Sequence, residues 1–268
     1  MSGAPTRGPL GERPNEDGAP APRRAGGPRS PTPTDATTTS DRPWFVPDSG
    51  LTERLSDNDH RVFMRVCPER PYAPGTAIFR EGDTADHLHV VARGRIKLVR
   101  YTPDGRERIL AIVGPDDLIG EAFLQEDARY RADAVAMADA VTCPMSRDHF
   151  RQLSLQAPTF TMAFAEILAQ NMFHCRDRLA GGYAPIKVRV AQALLEQAQR
   201  FGHAEEVDPD WLQLDTPLRH EELAAVVGAT RVSVSTAVAE LRRDGVLEGT
   251  RGRYRMHAPA LEGLELDL

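Results

Sequence analysis

The sequence has no run of about eighteen apolar residues, which a membrane-spanning helix needs, and no charged-then-apolar start typical of a secretion signal. These absences predict a cytoplasmic protein without a membrane partner. Two motifs of catalytic and nucleotide-binding proteins are missing as well: the GxSxG nucleophile motif, and the phosphate loop GxxxxGK followed by Ser or Thr. We therefore expect no catalytic residue and no enzymatic activity.

Cysteine is scarce, because Cys67, Cys143 and Cys175 are the only three in 268 residues, and no pair has CxxC spacing. An odd number without that spacing argues against a disulfide framework, a structural zinc site and a cysteine-ligated iron–sulfur cluster. We expect all three to be small buried hydrophobic side chains.

An excess of positive charge is missing too, since 33 Lys and Arg residues face 39 Asp and Glu residues, for a net charge of −6. The total therefore does not indicate a nucleic-acid partner. Residues 229–257 are an exception, with six arginines against three acidic residues. This local excess of positive charge can meet the phosphates of a nucleic acid.

Large apolar residues are nearly absent from residues 1–45, which are rich in Pro, Gly, Ser, Thr, Arg and Ala. Such a segment cannot bury enough surface to offset the entropy lost on ordering, so we predict a disordered tail. A basic arm that touches DNA is the alternative. The arginines of that arm are Arg7, Arg13, Arg23, Arg24 and Arg29.

Residues 74–146 consist of short β-type runs separated by Gly, Pro and Asp residues that suit tight turns. The runs are Ala77–Phe79, Leu88–Val91, Ile96–Tyr101, Arg108–Val113, Ala134–Met137 and Val141–Met145. Their regular spacing predicts an antiparallel β-domain, either a small barrel or a sandwich.

Residues 158–180 contain neither Gly nor an internal Pro, and we predict one long helix that is ended by Gly181 and Gly182. An apolar seam follows this helix at spacings of four, four, three and four residues. Its members are Phe164, Leu168, Met172, Cys175 and Leu179. The seam can pair two copies of the chain or pack against the chain's own β-domain, and both can hold at once.

The strongest pattern is a pair of helical stretches, Arg219–Val227 and Arg231–Asp244, each with apolar residues at helical spacing. Between them, Gly228 supplies a sharp turn and Thr230 a helix cap. Two helices joined by so short a turn form a helix-turn-helix. The first residues of the second helix are small, polar or basic, which suits the edges of bases in a major groove.

A two-stranded wing is predicted after the second helix, over Leu247–Met256. Gly249 and Gly252 flank its arginine-rich tip. A helical hairpin alone occurs in many proteins that do not bind DNA, so the wing strengthens the interpretation as a DNA-binding unit.

In these stretches the chain resembles the Crp/Fnr superfamily of bacterial regulators, from about Arg54 to its end. The segments that carry the resemblance, in the family's order, are Pro74-Gly75 with Ile78-Phe79 and Glu81-Gly82, Val90 to Gly94, Asp117 to Glu121, Ser146 to Phe150, Arg189 to Leu195, and Val227 to Arg231. The resemblance implies an α+β fold. Its parts would be a double-stranded β-helix, jelly-roll-like sensor at 46–156, a dimerisation helix at 157–182 and a Crp-type winged helix-turn-helix at 185–258.

The resemblance also implies a homodimer whose two recognition helices enter adjacent major grooves of a pseudo-palindromic double-stranded DNA, with RNA polymerase as a further partner. In the family's pattern Arg231 reads a guanine through a bidentate contact and Thr230 meets a phosphate. The residues expected to bind DNA are Arg219, Glu221, Thr230, Arg231, Val232, Ser233, Ser235, Thr236, Arg251 and Arg253.

Two positions depart from the catabolite-activator branch of the family. Val232 replaces a glutamate common in that branch, and Thr236 replaces a later arginine. The preferred operator should therefore differ from that of the branch. The run Thr230-Arg231-Val232 is similar to the cyanobacterial nitrogen-control branch, which leaves a different class of effector open.

The resemblance implies an effector site in the β-roll, where Gly120 and Glu121 would meet a ribose and Arg131 a phosphate. Ala132 stands where the family has Ser or Thr, Asp133 adds a negative charge, and Tyr130 takes the arginine's place if the alignment shifts by one residue. Cyclic AMP, another effector and a ligand-independent β-roll all remain open. His174 and Cys175 fall near base-contacting positions of the family, although helix residues in an apolar seam more often only pack.

A metal-binding protein of the cupin type is an alternative in a different class, because His87 and His89 alternate along one strand. Such sites usually need a third histidine or a carboxylate, and no Glu follows at a suitable distance. A haem sensor that uses His174 or His87 is a weaker alternative. We therefore expect no bound metal.

Overall fold

The structure, a computed structural model, describes residues 50–180 and 184–266. The tail predicted over residues 1–45 and the helix-ending pair Gly181 and Gly182 lie outside the described residues.

Eight strands form the β-roll. They are β1 (Arg70–Tyr72), β2 (Ala77–Phe79), β3 (His87–Arg93), β4 (Ile96–Tyr101), β5 (Glu107–Val113), β6 (Leu118–Ile119), β7 (Asp133–Ala136) and β8 (Ala140–Ser146). They make two four-stranded antiparallel sheets, in the orders β1-β8-β3-β6 and β2-β7-β4-β5. Leu88, Ile96 and Ile119 are fully buried in a core that both sheets share. The sequence pattern misses β1, which contains Pro71, and β6, which has only two residues, because neither shows the alternation of a strand.

Three helices pack beside this roll: α1 (Asp57–Val66), α2 (Arg147–Gln156) and α3 (Pro158–Ala180). The hydroxyls of Ser56 and Ser146 cap α1 and α2, since each accepts a hydrogen bond from the backbone N–H three residues later. α3 has the predicted bounds. The β-roll and this long helix confirm the first two parts of the predicted α+β fold.

The apolar seam predicted on α3 does not lie on one free face. Phe164 is buried and meets Phe150 edge to face with ring centroids 5.0 Å apart, and Leu168 is half-buried against the same core. Met172 and Cys175 are exposed, and the side chain of Leu179 lies outside the described residues. The first half of the seam therefore packs on the chain's own β-roll, the second of the two roles predicted for it.

The prediction for the cysteines is wrong in two respects. Cys67 and Cys143 form a disulfide, with Cα atoms 5.2 Å apart, and Cys175 is exposed instead of buried. Cys67 directly follows α1, whereas Cys143 lies in β8, 76 residues further along the chain. Their proximity follows from the packing of α1 beside the roll, which cysteine spacing does not reveal.

The C-terminal domain consists of α4 (Ile186–Phe201), β9 (Gly202–Ala204), β10 (Trp211–Leu214), α5 (His220–Val227), α6 (Arg231–Arg243), β11 (Leu247–Thr250), β12 (Arg253–His257) and α7 (Ala258–Leu266). The strands form an antiparallel sheet in the order β11-β12-β10-β9. Leu194, Leu223 and Leu241 are fully buried where α4, α5 and α6 meet. α7 continues this packing past residue 258, where the prediction ends the domain, since Leu261 is buried in the same core.

The β-roll and the C-terminal domain share a buried contact at the end of α4. Arg200 donates to the Ile112 carbonyl oxygen at 2.8 Å and pairs with the Asp117 carboxylate, and these two charged side chains are only 9% and 8% exposed. Arg95 lies over the Phe201 ring at 4.7 Å. Apolar side chains of β4 and β5 belong to the same core as α4, α5 and α6. The two domains therefore meet through a continuous buried interface.

Candidate nucleic-acid interface and effector pocket

The helix-turn-helix has the geometry that its sequence predicts. α5 and α6 are bent by 103° at the break between them, within the range of about 90–120° for this motif. Gly228 has φ of 67°, a left-handed conformation that glycine adopts without strain. The Thr230 hydroxyl accepts a hydrogen bond from the Ser233 backbone N–H at 3.1 Å and so caps α6. Turn and cap together fix where α6 begins and how it points.

α6 has one buried and one solvent face. Val234, Val238 and Leu241 are at most 1% exposed and pack in the domain core. The predicted base-reading residues lie on the other side: Arg231, Val232 and Thr236 are exposed, and Ser233 and Ser235 are half-buried. Because the apolar face of α6 packs inward, the predicted base-reading residues lie together on its solvent side.

Arg231 and Glu221 form an ion pair between the N-terminal turns of α6 and α5. The Arg231 Nε and Glu221 Oε1 atoms are 3.0 Å apart, and the side chains are 69% and 60% exposed. An exposed pair of this kind contributes little stability. Arg231 can therefore exchange its carboxylate partner for an acceptor on DNA at small cost.

The wing lies beside the start of α5. Arg251 and Gly252 have positive φ at the tip of the β11–β12 hairpin, and the Gly252 carbonyl oxygen accepts a hydrogen bond from the Leu218 N–H at 2.9 Å. Arg251, Arg219 and Arg231 line one cleft of about 330 Å³, and Arg253 is exposed on β12. Several arginines around one opening make it attractive to phosphate oxygens.

Two residues of this cleft were missed by the sequence analysis. Arg242, near the end of α6, donates to the Gly249 carbonyl oxygen and so ties the wing to the recognition helix. His220, the first residue of α5, is hydrogen-bonded through Nδ1 to the Ser235 hydroxyl at 2.8 Å. Its position at the start of a helix makes His220 a candidate phosphate contact, which the sequence could have suggested. The hydrogen bond between His220 and Ser235 joins two helices and has no signal in the local sequence.

The predicted effector residues are less well gathered. Gly120 is buried at the end of β6 with φ of 86°, but Glu121, Arg131 and Cys175 are exposed and His174 is half-buried. Only Gly120 of the five therefore lies in the interior of the roll.

The side chain against Gly120 is that of Tyr130. A Cβ atom on Gly120 would lie 3.0 Å from Tyr130 Cε1, and the Tyr130 ring stacks on Phe79 with centroids 3.9 Å apart. The Tyr130 hydroxyl donates to the His87 carbonyl oxygen at 2.7 Å and accepts from the His87 N–H at 3.3 Å. Burial raises the pKa of Tyr130 to about 12, so the hydroxyl keeps its proton at neutral pH. A neutral aromatic ring therefore occupies the position beside Gly120.

The two histidines of the metal-binding alternative are engaged in other contacts. His89 is buried, its Nδ1 lies 3.1 Å from the Thr142 hydroxyl, and burial together with neighbouring His87 lowers its pKa to about 4. His87 Nδ1 instead pairs with Asp86 at 2.8 Å. Over residues 50–180 and 184–266, no three His, Cys, Asp or Glu residues are grouped so that they could hold a metal ion.

Comparison with known proteins places these features in a family. Residues 69–157 match the family model of the cyclic nucleotide-binding domain, and residues 188–266 match that of the Crp-like helix-turn-helix domain. The CRP-like cAMP-activated global transcriptional regulator of Mycobacterium tuberculosis is 32% identical over 172 residues, which cover 64% of this chain and 75% of the relative. The Cyclic AMP receptor protein of Thermus thermophilus is 31% identical over 215 residues, 80% and 94% of the two chains. The chain belongs to the Crp/Fnr superfamily of transcriptional regulators.

Solved structures of Crp/Fnr proteins share the fold. A CRP-family transcriptional regulator of Thermus thermophilus superposes with a TM-score of 0.58 at 26% identity, covering 72% of this chain and 95% of that one. FixK2 from Bradyrhizobium japonicum, at 22% identity, gives a TM-score of 0.63 over 74% and 97% of the two chains. Both confirm the predicted β-roll, long helix and helix-turn-helix.

The helix-turn-helix is rich in apolar residues. No single helix of the described ranges is long and apolar enough to cross a bilayer, although α5 and α6 together have the length and composition of a bent span. Their apolar side chains pack in the core of a Crp-like DNA-binding domain. The predicted cytoplasmic location stays a prediction.

Proposed function

We propose that this regulator binds a pseudo-palindromic operator as a homodimer, with one α6 helix in each of two adjacent major grooves. The observation that carries the proposal is the exposure of Arg231 at the N-terminus of α6, directly beside the capped turn. From there its guanidinium can reach the O6 and N7 atoms of a guanine. Arg219 and Arg251 of the cleft, together with Thr230 and His220, would meet the flanking phosphates.

Dimerisation is proposed through a face of α3 that shares only Met172 with the predicted seam. Met162, Ala165, Ala169 and Met172 follow each other at spacings of three, four and three residues, and all are exposed. Phe173 beside them is 55% exposed. Alternating spacings of three and four are those of a coiled-coil seam, in which small residues allow the helices to approach. A second copy of α3 would cover these side chains.

For the β-roll we propose an effector, cyclic AMP or another small molecule, that modulates DNA affinity. The names of the two relatives, one cAMP-activated and the other a cyclic AMP receptor, support this assignment. An effector-independent β-roll is the second candidate, and Tyr130 favours it because its ring fills the position beside Gly120. RNA polymerase is proposed as a further partner, since regulators of transcription act on that enzyme.

Selection of bound sequences from random double-stranded DNA, with and without cyclic AMP, tests the proposal. We expect a pseudo-palindromic consensus, bound with an affinity that falls steeply with salt. Recovery of no consensus would overturn sequence-specific binding. If saturating cyclic AMP changes neither operator affinity nor thermal stability, cyclic AMP is not the effector.

A further inference from the structure

The solvent face of α6 carries a stripe of small side chains beside Arg231. The stripe consists of Val232, Ser235, Thr236 and Ala239, which occupy positions i, i+3, i+4 and i+7 and therefore lie along one side of the helix. With Arg231 they line a shallow groove of about 460 Å³. Among the described residues that line this groove, Arg231 alone is charged. The rest of the surface must recognise DNA by other means.

The hydroxyl groups of this helix are already engaged within the protein. Ser235 is bonded to His220, Ser233 to Thr230 at 2.8 Å, and the Thr236 hydroxyl donates to the Val232 carbonyl oxygen at 3.2 Å. A base would have to compete with these bonds. Methyl groups are therefore what the stripe offers most freely.

Val232 is the largest of these apolar groups, and 75% of it is exposed. Stability does not explain a valine at this position, because a β-branched residue near the start of a helix is a poorer helix former than alanine, and Val232 buries little of its surface. Its carbon surface is available to a ligand, and it is the neighbour of the proposed guanine reader Arg231. Of the four bases, only thymine presents a methyl group in the major groove.

We propose that Val232 reads the C5-methyl group of a thymine adjacent to the guanine that Arg231 contacts. The proposal rests on the proposed DNA-binding function and specifies the base pair beside that guanine. An operator half-site should then contain guanine and thymine as neighbours at the position of α6. Contact between two apolar groups removes both from water, so the protein should bind thymine more tightly than cytosine at that position.

The test uses the full-length protein and a duplex taken from the selected consensus. Each thymine of a half-site is replaced in turn by deoxyuridine, which removes only the methyl group, and affinity is measured by fluorescence anisotropy. We expect one substitution, next to the guanine, to weaken binding about fourfold. This factor corresponds to the free energy of burying one methyl group. Substitution in both half-sites should weaken binding by about fifteenfold.

Val232→Ala should bind the thymine and deoxyuridine duplexes with nearly equal affinity. The matched control is Val207→Ala, which removes the same atoms from a residue of the C-terminal domain that is 96% exposed in the loop before β10. This control should keep the full preference for thymine. If every deoxyuridine duplex binds the unmodified protein as well as its thymine counterpart, or if Val232→Ala keeps the preference, the inference is wrong while the proposed DNA binding stands. Absence of any selected consensus would overturn both.

Discussion

The helix-turn-helix and the sensor domain differ in how far their predicted site residues meet in space. At the DNA-binding end, Arg231 and Glu221 lie 3.0 Å apart and line one cleft with Arg219 and Arg251. In the β-roll, Gly120 is buried but Arg131 is exposed, and the neighbouring Tyr130 takes the inner position.

The difference has a geometric cause. Tyr130 is buried and Arg131 is exposed, so a shift of one residue in the family alignment exchanges the inner and the outer side chain. Both residues lie in an irregular segment between the bridge residue Arg129 and β7, where the chain has no regular periodicity to fix the alignment. In the helix-turn-helix, by contrast, Gly228 and the cap at Thr230 fix the start of α6, and a shift of one residue would bury Arg231 or expose Val234.

The largest effect is expected at the contact that joins the two regions. Asp117→Asn would leave Arg200 buried without its negative partner, and loss of one member of a buried pair costs about 3–5 kcal/mol. We expect a loss of that order in the free energy of unfolding measured with urea. Asp148→Asn is the control, because Asp148 pairs with Arg151 on the surface and is 91% exposed. A loss below about 1 kcal/mol for Asp117→Asn would mean that the junction is open in solution.

In the DNA-binding domain, two arginines have different expected roles. Arg231→Ala should lower the discrimination between operator and random DNA by about 1–3 kcal/mol, because a bidentate guanine contact is lost. Arg251→Ala, at the wing tip, should weaken binding to both duplexes alike and reduce the salt dependence. Anisotropy titrations at several salt concentrations separate the two. Equal losses on both duplexes for Arg231→Ala would assign this residue to a phosphate.

The sensor side depends on the Tyr130 hydroxyl. Tyr130→Phe keeps the ring on Phe79 but removes both hydrogen bonds to His87, so we expect a loss of about 1–2 kcal/mol in the free energy of unfolding. Tyr101→Phe is the control, since Tyr101 is 54% exposed on β4 and should change stability little. If Tyr130→Phe unfolds like the unmodified protein, the hydroxyl does not hold the ring beside Gly120.

What the sequence predicts well depends on contacts between residues close in the chain. The bounds of α3, β2 and β4 follow from local periodicity and breakers, as does the cap at Thr230. β1, which contains Pro71, and β6, which has two residues, carry too little pattern to be predicted. α7 contains Pro259 and Gly263, which disfavour a helix.

Contacts between distant residues could not be predicted from one sequence. Arg200 and Asp117 are 83 residues apart, and the bonded pair Cys67 and Cys143 are 76 apart. Each depends on how helices pack against the β-roll. The exposure of Arg131 could not be predicted for another reason, because it depends on a shift of one residue that no local signal in the sequence resolves.

The smallest expected effect concerns Thr230, to which both a structural and a DNA-binding role are assigned. Its hydroxyl caps α6 through the Ser233 N–H, and loss of a cap in Thr230→Ala costs about 1 kcal/mol of stability. Thr230→Asp separates the roles, because aspartate caps a helix as well as threonine but would repel a neighbouring phosphate. We therefore expect Thr230→Asp to unfold in urea like the unmodified protein while its DNA affinity falls. If Thr230→Asp keeps both stability and affinity, Thr230 acts only as a cap, and the phosphate contact belongs to another residue of the cleft.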